Sequence, residues 1–231
     1  MAFTYQLKGM LRKFGVVTVM NVEAYETVMD NNGEWDSAAT LVAEKKRFTL
    51  DTLKIANINQ EGPTKSITGG QNADVLLKYG KTMSIEMQDA LGKYDVLEHV
   101  YGVNFSGNDQ IASVTDRFPG ELTLVGTTFV IDQATGAKQP IHIVIPRFLG
   151  DGIFNLTQDA EGDATVFDLN GNILKFNGGF ESAEAAGEED AHYYGTGADG
   201  EFYFLCTEEI LQEMKTQSYA EAWALEAPSA E

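Results

Sequence analysis

Carboxylates dominate the side chains of this chain that could do chemistry. Of 231 residues, 35 are Asp or Glu and only 16 are Lys or Arg, a net charge of −19. Residues 151–231 concentrate the excess, with 18 acids against two bases, Lys175 and Lys215. Paired carboxyls serve glycoside hydrolysis, where one protonates the leaving oxygen and the other activates water or attacks. That chemistry needs two carboxyls at a set separation, and nothing in the sequence selects one pair from so many.

The remaining reactive residues are scattered. His99, His142 and His192 have no second histidine at metal-ligand spacing, so structural or solvated roles are expected for them. Cys206 is the single cysteine, set in the apolar run of Phe202, Tyr203, Phe204 and Leu205. It permits no internal disulfide, and a buried, inert thiol is expected. Gly195-Thr196-Gly197-Ala198-Asp199-Gly200 spells GxGxxG, but an acidic stretch precedes it and a strand pattern follows. A dinucleotide site needs a strand before and a helix after. Residues 159–170 imitate a calcium loop, yet Ala164 takes the position of the required glycine and Asn170 that of the closing glutamate. No phosphate-binding GxxxxGK[ST] and no GxSxG elbow occurs. No cofactor, no metal and no catalysis are therefore expected.

The elements that would position these residues are mostly strands. Residues 16–29 are rich in Val, Thr and Tyr and end at Asp30-Asn31-Asn32-Gly33, a turn signal. Phe48 and Leu50 alternate with polar neighbours, and Leu53 and Ile55 take the opposite parity, so the strand is expected to bulge or break near Thr52. Met83, Ile85 and Met87 alternate as a half-buried strand. Between these, residues 57–74 read as a long polar loop with Gly62-Pro63 and Gly69-Gly70. Asp89 is expected to cap a helix striped by Leu91, Tyr94, Leu97 and Tyr101 and stopped at Gly102. Residues 122–131 and 141–145 predict a hairpin. Residues 154–157, 165–169 and 173–177 predict shorter strands, the last two joined by a turn at Asn170-Gly171. An acidic loop follows at 181–190, then a strand over 201–206 and a helix capped by Thr207, with Leu211 and Met214 on one face. The predicted fold is mainly β, a two-sheet antiparallel β-sandwich or barrel with a flanking central helix and a C-terminal helix.

The order of these segments resembles the phage tail-tube (major tail) protein family. Residues 54–91 are similar to its front half: two strands flanking a long loop, with Ser84-Ile85-Glu86-Met87-Gln88-Asp89-Ala90-Leu91 running from strand into helix. The back half is similar too. Gly126-Thr127-Thr128-Phe129 leads to Ile143-Val144-Ile145-Pro146-Arg147, then Phe154-Asn155-Leu156-Thr157 and the acidic turn of Ala160, Glu161 and Gly162. The resemblance implies a core over 45–178, an N-terminal extension over 1–44, and an extension over 179–231 comprising acidic loop, strand and helix. It implies hexameric rings closed through sheet edges and stacked through the long loop, with Gly62, Pro63, Thr64, Lys65, Gly69 and Gly70 between rings. Tape-measure and tail-terminator partners follow from it, as does DNA that passes through the tube without specific binding. So does a place in the virion tail after synthesis in the host cytoplasm.

The charge agrees with a conduit, since −19 disfavours ordinary binding to nucleic acid or anionic membrane. No apolar run approaches the roughly 20 residues of a bilayer span, and no signal peptide is visible. Three rivals stay open at this point. The chain could be another tail, neck or baseplate component, or a paired-carboxylate enzyme. It could also be a β-sandwich ligand-binding module, which needs exposed aromatics, with Trp35, Tyr193, Tyr194 and Trp223 as candidates.

Overall fold

The computed structural model describes residues 14–16, 21–31, 33–51, 53–62, 64–69, 73–78, 80–89, 94–106, 111–114, 119–132, 138–151, 167–176, 180–181, 193–194 and 202–216. In chain order, β1 (Phe14–Val16) and β2 (Asn21–Glu26) lead to α1 (Ser37–Thr40) and then to β3 (Lys46–Leu50). There follow β4 (Leu53–Glu61), β5 (Thr64–Gly69), β6 (Ala73–Lys78) and β7 (Thr82–Asp89). Next come α2 (Tyr94–Tyr101), β8 (Val103–Ser106), β9 (Ile111–Val114), β10 (Leu122–Asp132) and β11 (Lys138–Gly150). The remainder is β12 (Phe167–Ile173), β13 (Phe180–Glu181), β14 (Tyr193–Tyr194), β15 (Phe204–Thr207) and α3 (Glu208–Met214).

The chain is mainly β and antiparallel, as its sequence predicts. The principal sheet has nine strands in the order β3-β2-β10-β11-β12-β7-β4, with β1 added to β10 and β15 to β11. Its two arms fold over each other as a sandwich. Val22, Ala24, Phe48, Leu50, Leu122, Leu124 and Ile145 come from one layer and Ile85, Met87, Leu169 and Ile173 from the other, all in one buried cluster. A small apolar cavity of about 50 Å³ lies between the layers, lined by Val22, Leu124 and Ile143 on one side and Ala56, Ile58 and Ile85 on the other. Helix α2 joins this core through Val96, Val100 and Tyr101. Gly102 ends the helix at φ 67°, a left-handed conformation that glycine adopts without steric cost.

One strand makes the fold possible. The 13-residue β11 pairs with β15 over Ile141–Val144 and with β12 over Phe148–Gly150, on the edge opposite β10. Its register with β10 shifts between Leu122 and Leu124, which pair with Phe148 and Ile145. Pro146 and Arg147 thus lie opposite the single residue Thr123, a β-bulge. Proline has no N–H for the ladder and belongs at such a site. Thr123 Oγ1 donates to the Pro146 carbonyl at 2.7 Å. Arg147 donates to both Glu121 oxygens at 2.8 and 2.7 Å and to the Lys175 carbonyl at 2.9 Å, tying β10, β11 and the end of β12 together.

The outer face of the β2–β10–β11 layer carries a second core. Trp35, Phe176 and Phe204 stack edge-on or tilted with centroids 6.0–6.1 Å apart. Tyr25, Leu41, Val125, Val144, Cys206, Leu211 and Met214 complete it. Trp35 arrives by a turn in which Asp30 Oδ1 accepts from Glu34 N at 2.8 Å, as the Asp30 to Gly33 signal predicts. Helix α1 is capped by Asp36, whose Oδ1 accepts from Ala39 N at 2.9 Å.

Several expectations are corrected. Asn170-Gly171 is no turn: both residues lie inside β12, paired continuously with β7. A Cβ on Gly171 would stand 2.3 Å from Phe148 Cε2 and 2.5 Å from the Leu149 carbonyl oxygen, so this glycine serves close packing. Asp89 lies in β7, and the described helix runs over Tyr94–Tyr101, with residues 90–93 outside the described residues. The long loop over 57–74 is instead the end of β4 and the first strand of a hairpin. Strands β2 and β15, drawn from the stretches read as extensions, are built into the principal sheet. The break near Thr52 is confirmed, since β3 ends at Leu50 and β4 begins at Leu53. The strand over 154–157, the calcium-like loop up to residue 166, the GxGxxG segment, His192 and Trp223 lie outside the described residues.

Candidate functional site: a hairpin arm and open sheet edges

Strands β4 and β7 pair from Leu53 with Asp89 to Glu61 with Thr82. Beyond them β5 and β6 pair from Thr64 with Lys78 to Gly69 with Ala73 as a separate two-stranded sheet. Gly62 and Pro63 join Glu61 to Thr64 on one side, against residues 79–81 on the other. The two connecting residues on one side against three on the other break the register between the two ladders. The unit is one long hairpin over 53–89 whose far half forms a two-stranded sheet of its own. Of the residues expected between rings, Thr64, Lys65 and Gly69 lie in β5, Gly62 is exposed at its base, and Pro63 and Gly70 lie outside the described residues.

The principal sheet ends at β3 and β4, which take no further strand among the described residues. Such edges carry unpaired N–H and C=O groups and template pairing with another chain. The β3 edge is flanked by charge pairs: Lys46 with Glu23, Arg47 with Glu26, and Lys45 with Glu26 at 3.5 Å. Arg47 holds the Glu26 carboxyl below its ordinary value, by hydrogen bond first and charge second. Among the described residues the β8–β9 hairpin pairs only with itself, and Ile111 there is 59 % exposed.

The residues that could have been reactive have structural surroundings. His142 is buried, with Nδ1 3.2 Å from Thr127 Oγ1 and Nε2 2.6 Å from Glu208 Oε2. Cys206 is buried too, and burial, with the Glu208 charge second, pushes its thiol up to about 12. His99, half-buried on α2, is held below its ordinary value chiefly by desolvation. Trp35, one of the aromatics a ligand-binding module would expose, is 2 % exposed. Among the described residues no group of three or more His, Cys, Asp or Glu side chains could hold a metal ion. No helix among them is long and apolar enough to cross a membrane. The sequence reading missed the clamp of Arg147 on Glu121, although the Pro146-Arg147 pair that forms it stood in the pattern.

Residues 95–186 match the model of the YomU/Tube protein family. The matched stretch runs from α2 to just past β13 and includes the β10–β11 hairpin and the Pro146-Arg147 bulge. The resemblance to phage tail-tube proteins thus rests on an independent comparison as well as on the order of segments, and it suggests a tube-like structural role in the virion tail. No curated protein matches the chain.

Proposed function

We propose that the chain is a tail-tube subunit that closes into rings, most simply of six copies, and that the rings stack into a tube through which DNA passes. The family match over residues 95–186 carries this reading, and the open edges of β3 and β4 with the separate β5–β6 arm give it a physical route. Lateral pairing at sheet edges satisfies backbone groups that a lone subunit leaves to water, and a closed ring leaves none exposed. The arm over 62–81, with Gly62, Pro63, Thr64, Lys65, Gly69 and Gly70, bridges one ring to the next. A wall bearing six times −19 repels DNA and lets it slide. The subunit catalyses nothing and holds no cofactor, and it meets a tape-measure protein inside the tube and a terminator at its end.

Negative-stain microscopy over a concentration series tests this. Open rings and stacked tubes are expected. Because Glu61 and Thr82 are paired neighbours, replacing residues 62–81 by an Asn-Gly turn shortens the hairpin without cutting the sandwich. That variant is expected to form rings that do not stack. Wild-type protein that stays monomeric throughout the series would refute the proposal.

A further inference from the structure

A glycine inside a strand weakens it and offers no side chain to pack, so its presence marks a bulge, a bend or a close approach. Gly126 stands in the middle of β10, on the face that its layer turns to the other. The register sets it in one row with Leu50 of β3, Val22 of β2, Ile143 of β11 and Leu205 of β15. Four apolar side chains thus flank a position that has none. No left-handed backbone calls for this glycine, since among the described glycines only Gly33 and Gly102 have positive φ. The opposite layer leaves the gap open. Ala56 of β4, also small, lines the same space as Gly126, and with Ile58 and Ile85 it bounds the cavity of about 50 Å³. Close-packed cores set large residues against small ones across facing layers. Here small faces small.

We propose that this cavity is a binding site for a small uncharged hydrocarbon molecule of a few carbon atoms, kept open by Gly126 and Ala56. The lining selects the guest. The space exceeds the roughly 10–15 Å³ that one water needs, but a water also needs polar partners. The side chains of Val22, Leu124, Ile143, Ile58 and Ile85 offer none. Water therefore gains little by entering, whereas an apolar guest gains dispersion contacts with both layers. A charged or hydrogen-bonding ligand would lose its hydration without replacement. Val22, Leu124 and Ile85 are buried, while Ala56, Ile58 and Ile143 are half-buried. The way in is marked by Ala56 and Ile58 on the edge strand β4, which takes no further strand among the described residues. The site belongs to the single subunit and does not rest on the tube reading.

Xenon, which enters apolar cavities, is the first probe and propane the second. The full chain is compared with Gly126→Ala and with Ala56→Val, each of which adds carbon to the space from one layer. Thermal midpoints are followed under rising gas pressure, with helium at the same pressure as the reference. A ligand that binds only the folded chain raises the midpoint. Both xenon and propane should raise the wild-type midpoint along a saturating curve, and both substitutions should abolish that rise. Methyl signals of Ile58, Ile85 and Ile143 should shift with either gas in the wild type. A wild-type midpoint that does not respond overturns the inference, as does a response that both variants keep. A response to xenon with none to propane overturns the assignment to a hydrocarbon. If one variant fails to fold, the other and the wild-type titration still decide the matter.

Discussion

Gly171 shows how far a residue's meaning depends on its neighbours. After an asparagine, glycine is the strongest short-range signal for a two-residue turn. Here the pair runs straight through β12 because Phe148 of β11 fills the space a side chain would need. Gly171→Ala must displace that ring or the strand, and a loss of about 1–3 kcal/mol is expected from overpacking. A urea titration reads it directly, and an unchanged midpoint would contradict the packing. Cys206 makes the opposite case, in which the local apolar run reports the environment correctly. Its thiol is 2 % exposed and pushed up to about 12, so little thiolate exists near neutral pH. A thiol reagent should leave the folded protein untouched and label it once denaturant is added.

Among elements, the pairing of β2 with β3 sets the edge of the sheet, and magnitudes decide what holds it. The Glu23–Lys46 and Glu26–Arg47 pairs are partly exposed, and such pairs contribute roughly 0–1 kcal/mol each. Full burial of a residue like Phe48 or Leu50 is worth about 1.5–3 kcal/mol, so the apolar face dominates. The charge pairs show instead in the pH dependence. Arg47 holds Glu26 below its ordinary value of 4.5, so the unfolded chain takes up a proton before the folded one. The contribution is therefore whole above that value and is lost as pH falls through the lower folded-state value. Urea midpoints measured downward from about pH 5 should decline, and Glu26→Gln should flatten part of that decline while shifting stability little at neutral pH. The hairpin over 53–89 belongs to the same level. Its inner half is held by the sandwich, and its outer half is a ribbon of marginal intrinsic stability. Removing the outer half should spare the monomer and change only what the monomer builds.

For the whole molecule, charge and edges set the terms of association. A net charge of −19 opposes nonspecific association of copies. For the proposed tube, growth between like-charged rings should be more salt-sensitive than ring closure, since closure relies on backbone pairing. Sedimentation of rings and tubes across a salt series separates the two. Much of this molecule is legible in its residues alone: the mainly β class, the β10–β11 hairpin, the parity break between β3 and β4, the Asp30–Gly33 turn, the buried thiol and the acidic excess of residues 151–231. All of these follow from alternation, turn chemistry and composition, which act over a few residues. The bulge at Pro146-Arg147, the passage of β12 through Asn170-Gly171, the entry of β2 and β15 into the sheet, and the conversion of a polar loop into a paired arm are not legible in that way. Each depends on which distant strand supplies the hydrogen bonds and which side chain occupies the space, and that is settled only when the two layers close on a shared core.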